Sequence, residues 1–394
     1  MRWPGQWSRG RLGRGRVMRS LHPVDVVLAS TRLYSSLPVV GKHLEPFAGL
    51  TAMALWGGHY APAAVRGAVT RRFGASPAAV APDDAAQTVV DASAGLIAKS
   101  GGGRVPPFVR FRAQRQRCLY RSSVRYGTHP AQVLDVWRRP DLPPGAPVLL
   151  FVPGGAWVHG TRVLQGHTLL SHLVRQGWVC LTMDYRVSPV HRWPRHIADV
   201  NAAIAWARAN VDQYGGDRGF VAIAGCSAGG HLAALAGLTP GDAAFRGELG
   251  EDADTSVDAV VGIYGRYDWQ DRSTATRRNF QAFLERVVVR RSQSRHPEVY
   301  AAASPLARIH RNAPPFFLIH GEQDAIIPVD EARQFRAKLQ AVSRNPVEYC
   351  EVPRAGHAFD LVDTAHARRC AVQVGRFLSD VHAHHVESRS IAAV

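Results

Sequence analysis

Lysine is almost missing from this chain of 394 residues: of 48 basic residues only Lys42, Lys99 and Lys338 are lysines. The net charge of +17 therefore rests on arginine, and most of it is local. The first 130 residues carry 19 Lys+Arg against 5 Asp+Glu, so +14 of the excess falls there. No aromatic-interleaved stretch or recognition helix accompanies those arginines, which excludes a nucleic-acid reader. Cysteine is also scarce. Five residues (Cys118, Cys180, Cys226, Cys350, Cys370), an odd number with no CxxC pair, exclude a disulfide framework and a zinc site and read as buried thiols. A long apolar run is absent too. The charge-free stretch from Pro46 to Val65 is broken by Gly49, Gly57, Gly58 and Pro62, which suits an interfacial or substrate-covering helix better than a spanning one. Arg2, Arg9, Arg11, Arg14, Arg16 and Arg19 imitate the start of a signal peptide, but Pro23 and Asp25 interrupt the run that should follow, so no cleavable signal is expected.

What is present is a globular composition, 46% hydrophobic and 20% charged, and a change of texture along the chain. Residues 1–20 read as a basic flexible tail that could reach an anionic membrane surface. Residues 21–107 show loose helical periodicity and end in Ser100-Gly101-Gly102-Gly103-Arg104-Val105-Pro106-Pro107, a boundary. From 108 to 394 short apolar, β-branched runs alternate with helical segments. The runs are Val133–Trp137, Val148–Val152, Val179–Met183, Phe220–Ala224, Ala259–Tyr264, Phe316–Ile319 and a polar-edged Val347–Glu351. Helices are expected over His196–Asn210, over Leu232–Leu238 and from about Ala365 to His382. Such alternation predicts an α/β fold whose mostly parallel sheet is covered on both faces, with its chemistry at the carboxyl ends of the strands.

Four of those ends carry reactive patterns. Gly225-Cys226-Ser227-Ala228-Gly229 leaves a strand and enters a helix, the form of a nucleophile elbow, with Ser227 at the turn. A serine hydroxyl needs a base, and the base needs an orienting acid. His357 lies on the Gly-containing loop after the last strand, and Asp324 follows the strand before it, giving the order Ser, acid, His. Glu322 and Asp330 compete with Asp324; Glu322 is nearer the strand end, and Asp330 reads as the N-cap of the next helix. Pro153-Gly154-Gly155-Ala156-Trp157, after Val152, supplies closely spaced N–H groups, so Gly155, Ala156 and Ala228 are the oxyanion candidates.

Together with Asp184-Tyr185-Arg186-Val187-Ser188-Pro189, Trp193-Pro194 and Tyr214-Gly215-Gly216-Asp217, these motifs over residues 120–385 resemble the hormone-sensitive-lipase-like carboxylesterases, in particular the actinobacterial Lip-type esterases. The resemblance implies the α/β-hydrolase fold with an eight-stranded sheet and a helical cap, a triad of Ser227, Asp324 and His357, and a structural role for Asp184 and Arg186. It also implies that residues 21–107, and an insertion over 265–312 bearing Tyr267, Trp269, Phe280, Phe283 and Leu284, cover the site. Pro153 stands where that family usually has His. The function expected is hydrolysis of short- to medium-chain carboxylic esters without metal or organic cofactor, on small-molecule substrates. An arylformamidase-like amidase or an acyltransferase would use the same residues, and a binding protein on a hydrolase scaffold would dispense with them.

Overall fold

The apolar runs become the interior of one eight-stranded sheet in this computed structural model, which describes residues 114–163, 165–361 and 364–392. The regions read as a basic tail (1–20) and an N-terminal cap (21–107) lie outside the described residues. The strands are β1 (Leu119–Arg125), β2 (Val133–Trp137), β3 (Ala146–Val152), β4 (Val179–Met183), β5 (Gly216–Cys226), β6 (Ala259–Ile263), β7 (Phe316–Gly321) and β8 (Val347–Val352), in the order β1-β2-β4-β3-β5-β6-β7-β8. β2 runs antiparallel to β1 and β4, and every pairing from β4 across to β8 is parallel.

Among the described residues the helices that follow the first strand are α1 (His167–Arg175), α2 (Arg195–Asn210), α3 (Ala228–Leu238), α4 (Ala275–Phe283), α5 (Pro297–Ala302), α6 (Val329–Val342) and α7 (Ala365–Ala392). Alternation along β3 explains the layering. Val148, Leu150 and Val152 join the core shared with α2, α3 and α6, while Leu149 and Phe151 join the core shared with α1 and α7. In α7 the buried positions Ala367, Cys370, Ala371, Val374, Phe377 and Leu378 recur at three- and four-residue spacing, one stripe against the sheet.

Three sequence expectations are corrected. α3 starts at Ala228, directly after Ser227, not at Leu232, because complete burial outweighs the poor helix propensity of Gly229 and Gly230. Asp330 lies in the first turn of α6, whose N-cap is Pro328, and pairs with Arg333 at 2.8 Å. Cys350, on the edge strand β8, is only half-buried; the other four cysteines are buried, and all five are free thiols.

The Asp184-Tyr185-Arg186 segment ties loops together. Asp184 accepts the Arg162 N–H at 2.6 Å and pairs with its guanidinium, and Arg186 clamps Asp199 at 2.6 Å and Glu248 at 3.0 Å. The Asp199 side chain is wholly buried and also accepts from Gln132 at 2.8 Å. Replacing Asp199 with leucine leaves a nearly buried guanidinium with only the exposed Glu248 carboxylate for a partner. The expected loss is about 3–5 kcal/mol of unfolding free energy, read from urea denaturation, and a loss below about 1 kcal/mol contradicts the clamp.

Candidate active site

Ser227 sits between β5 and α3 at φ 55°, a left-handed conformation that non-glycine residues rarely adopt. The turn is tight enough that a Cβ on Gly229 would come within 2.0 Å of the Val152 carbonyl oxygen, so only glycine fits beneath the nucleophile. The Ser227 N–H is anchored on the Ile263 carbonyl at 2.9 Å. This tilts the hydroxyl out of the strand end, and Oγ donates to His357 Nε2 at 2.9 Å.

Two loops are laced to bring the acid to that histidine. Glu322 N–H donates to the Val352 carbonyl at 3.0 Å and Gln323 N–H to the Ala355 carbonyl at 2.9 Å. A Cβ on Gly321 would meet the Ala355 oxygen at 2.5 Å, so glycine here permits the approach. His357 Nδ1 then donates to Asp324 Oδ2 at 2.7 Å. Asp324 Oδ1 accepts the N–H groups of Ile326 and Ile327, each at 2.9 Å. Burial by itself would raise the Asp324 pKa, but hydrogen bonds from His320, His357 and the Ile327 N–H outweigh it and hold the carboxyl well below the usual range. The competitors are elsewhere: Glu322 accepts the Arg354 N–H at 2.9 Å and Asp330 serves α6.

The loop after β3 approaches from the other side. Gly155, Ala156 and Trp157 all have positive φ (137°, 52° and 58°), which turns successive N–H groups the same way. Gly154 is withdrawn from this set because its N–H donates to Gln165 Oε1 at 2.6 Å. Among the described residues no acceptor is recorded for the N–H groups of Gly155, Ala156 or Ala228. The loop is held by Tyr185, whose hydroxyl donates to the Pro153 carbonyl at 3.0 Å, and by Ser188, whose N–H donates to the Trp157 carbonyl at 2.8 Å. Proline at 153 offers no side-chain bond, and Tyr185 supports the loop through the backbone instead.

Other residues were not legible in advance. The Tyr264 ring lies 4.7 Å from the His357 ring, and its hydroxyl donates to Asp360, tying the histidine loop to the end of β6. Burial pushes the Asp360 carboxyl up and the Cys226 thiol far up, so Cys226, next to Ser227, is an inert donor to Gln165 at 2.8 Å. The segment 265–312 places Trp269 and Phe280 against Trp157, with ring centroids 4.9 and 5.9 Å apart. Among the described residues no group of three or more His, Cys, Asp or Glu could hold a metal ion, and no helix is long and apolar enough to cross a membrane.

A mostly parallel sheet with a serine at a strand-to-helix elbow, and an acid and a histidine on later strand ends, defines an α/β-hydrolase. Comparison with known proteins narrows the class. Residues 134–339 match the BD-FAE family. The chain is 54% identical over 371 residues to esterase LipC of Mycobacterium tuberculosis, covering 91% of this chain and 92% of that protein. It is 44% identical over 298 residues to the probable carboxylic ester hydrolase LipM of the same organism, covering 74% and 69%. Among solved structures, the Pyrobaculum calidifontis esterase superposes with a TM-score of 0.57 at 22% identity over 70% of this chain and 89% of that one, which speaks to the fold. The chain belongs to the BD-FAE family of α/β-hydrolases and, within it, to the Lip-type esterases. It is a carboxylic ester hydrolase.

Proposed function

We propose that Ser227, His357 and Asp324 are the catalytic triad and that Gly155, Ala156 and Ala228 form the oxyanion hole. The observation that carries this reading is the unbroken chain from Ser227 Oγ to His357 Nε2 at 2.9 Å and from His357 Nδ1 to Asp324 Oδ2 at 2.7 Å. Oγ attacks the ester carbonyl carbon while His357 Nε2 takes its proton. The oxyanion that forms is met by the N–H groups of Gly155, Ala156 and Ala228, the last at the start of α3 where the helix dipole adds to it. The tetrahedral species collapses, the bond to the alkoxy oxygen breaks, and His357 returns the proton to the departing alcohol. Water, deprotonated by His357, then attacks the acyl-enzyme and releases the carboxylic acid. Asp324 stays ionised throughout and fixes the proton of neutral His357 on Nδ1.

The substrate we assign is an uncharged ester of short to medium acyl length, and the segment 265–312 acts as a cap wall. The buried Trp269 and the half-buried Phe280 pack on Trp157 of the oxyanion loop, an apolar wall that suits an uncharged acyl group. p-Nitrophenyl esters from acetyl to palmitoyl test it. Activity should peak between the acetyl and octanoyl esters and fall at least tenfold by palmitoyl; a maximum at palmitoyl contradicts the assignment.

A further inference from the structure

A second histidine lies behind the acid. His320, on β7, has no exposed side-chain surface, and its Nε2 is 2.8 Å from the Ile327 carbonyl oxygen and 3.3 Å from Asp324 Oδ2. Both neighbours of Nε2 are acceptors, so this nitrogen carries the proton: it hydrogen-bonds the Ile327 carbonyl and stands 3.3 Å from the Asp324 carboxylate. Its Nδ1 has no polar partner among the described residues, which leaves the Nε2 face as the one the protein uses. Across the sheet His320 is in register with Glu351 of β8, but that carboxylate is taken by Arg333 at 2.6 Å. The ionisable groups facing this imidazole from the elements around it are therefore Asp324, His357 behind Asp324, and Glu351.

We propose that His320 is a positioning residue for the esterase reaction: through Nε2, shared with the Ile327 carbonyl, it donates to the same Asp324 Oδ2 that His357 uses and so holds the carboxylate in the plane that the His357 imidazole needs. The proposal rests on the triad reading above. With Ile326 and Ile327 on Oδ1, and His357 and His320 on Oδ2, the carboxylate has donors at both oxygens and cannot rotate without breaking at least two bonds. The same contact spreads the negative charge over two donors. Without it the carboxylate is held by fewer bonds, and His357 spends less of its time with Nε2 aimed at Ser227 Oγ. The Ile327 carbonyl shared by Nε2 couples the imidazole to the loop that supplies the two backbone donors, so one side chain fixes both edges of the acid.

The test compares His320→Leu and His320→Gln in the full chain, measuring kcat, KM and the pH profile of kcat/KM on p-nitrophenyl butyrate. His320→Leu should lower kcat about tenfold, the effect of roughly one lost charged hydrogen bond, with KM within about twofold. The loss should appear in kcat across the whole pH profile and not in KM. Glutamine can place an amide N–H where Nε2 stood, so His320→Gln should recover most of the loss. Should His320→Leu not fold, His320→Gln against His320→Asn gives the same comparison, since asparagine is too short to reach Oδ2. A double-mutant cycle with Asp324→Asn closes the argument: the effect of the His320 change should vanish when Asp324 is asparagine. Wild-type kcat in His320→Leu, or a full additive loss in the cycle, overturns the proposal. Substantial activity in Asp324→Asn alone overturns the triad reading instead.

Discussion

Ser227→Ala should reduce kcat/KM for p-nitrophenyl butyrate by on the order of 10⁴-fold or more and abolish the burst of product that marks an acyl-enzyme. The change removes one oxygen from a position whose geometry is set by the backbone. Serine and alanine both carry a Cβ, so the strain of φ 55° is the same for either, and the anchoring bond from the residue 227 N–H to the Ile263 carbonyl is untouched. Gly229 still admits the tight turn, and α3 still presents the Ala228 N–H to the oxyanion. The variant should therefore keep its fold and its substrate affinity and lose chemistry alone. Whatever rate remains reflects water attacking a carbonyl polarised by Gly155, Ala156 and Ala228, the part of catalysis that needs no nucleophile. A fluorophosphonate probe supplies the check, because it marks an activated serine whichever residue it is. Labelling should disappear in Ser227→Ala, and labelling that persists places the nucleophile elsewhere.

Which features were legible in the sequence follows from how local their signals are. Seven strands announced themselves as apolar runs because β2 to β8 sit inside the sheet or alternate with its helices. β1 did not. Its sequence, Leu119-Tyr120-Arg121-Ser122-Ser123-Val124-Arg125, is exposed at most positions on the sheet edge and carries no alternation, so only the family resemblance implied an eighth strand. Ser227, Asp324 and His357 were readable as candidates because each follows a strand within a few residues, the one place where a parallel sheet gathers polar side chains. Their supports were not. Tyr185 holds Pro153 from 32 residues away, Gln165 fixes Gly154 and Cys226 together, and Tyr264 reaches Asp360 across 96 residues. Contacts to backbone atoms or between distant loops leave no spacing to recognise. His320 is the instructive case: just past the apolar run Phe316–Ile319 it carries no signal of its own, and only the turn after β7, which folds Asp324 back four residues onto its imidazole, gives it a partner.

The same turn makes Asp324→Asn the sharpest chemical test of the site, because the backbone decides how asparagine must sit. Oδ1 of Asp324 receives two N–H donors, from Ile326 and Ile327. An amide nitrogen placed there would confront two fixed backbone hydrogens, whereas on the other side His320 can give its hydrogen wholly to the Ile327 carbonyl, so the asparagine carbonyl has to occupy the Oδ1 side and its NH2 has to take the place of Oδ2. That NH2 faces His357 Nδ1, which can accept its hydrogen only by giving up its own proton. The neutral imidazole then carries its hydrogen on Nε2, pointed at Ser227 Oγ, and can no longer take the serine proton. Hydrogen bonds that hold the aspartate carboxyl well below its usual range keep it charged at neutral pH, so in the wild type the charge favours the productive tautomer. Asparagine imposes it permanently. kcat should fall by about 10⁴-fold with KM little changed, as in any triad whose histidine is held in the wrong tautomer. Measured on the same ester as Ser227→Ala, a loss of less than tenfold means that Asp324 does not orient His357, and the hydrogen-bond chain at the carboxyl ends of β5, β7 and β8 would have to be read as scaffolding for a nucleophile activated by another base.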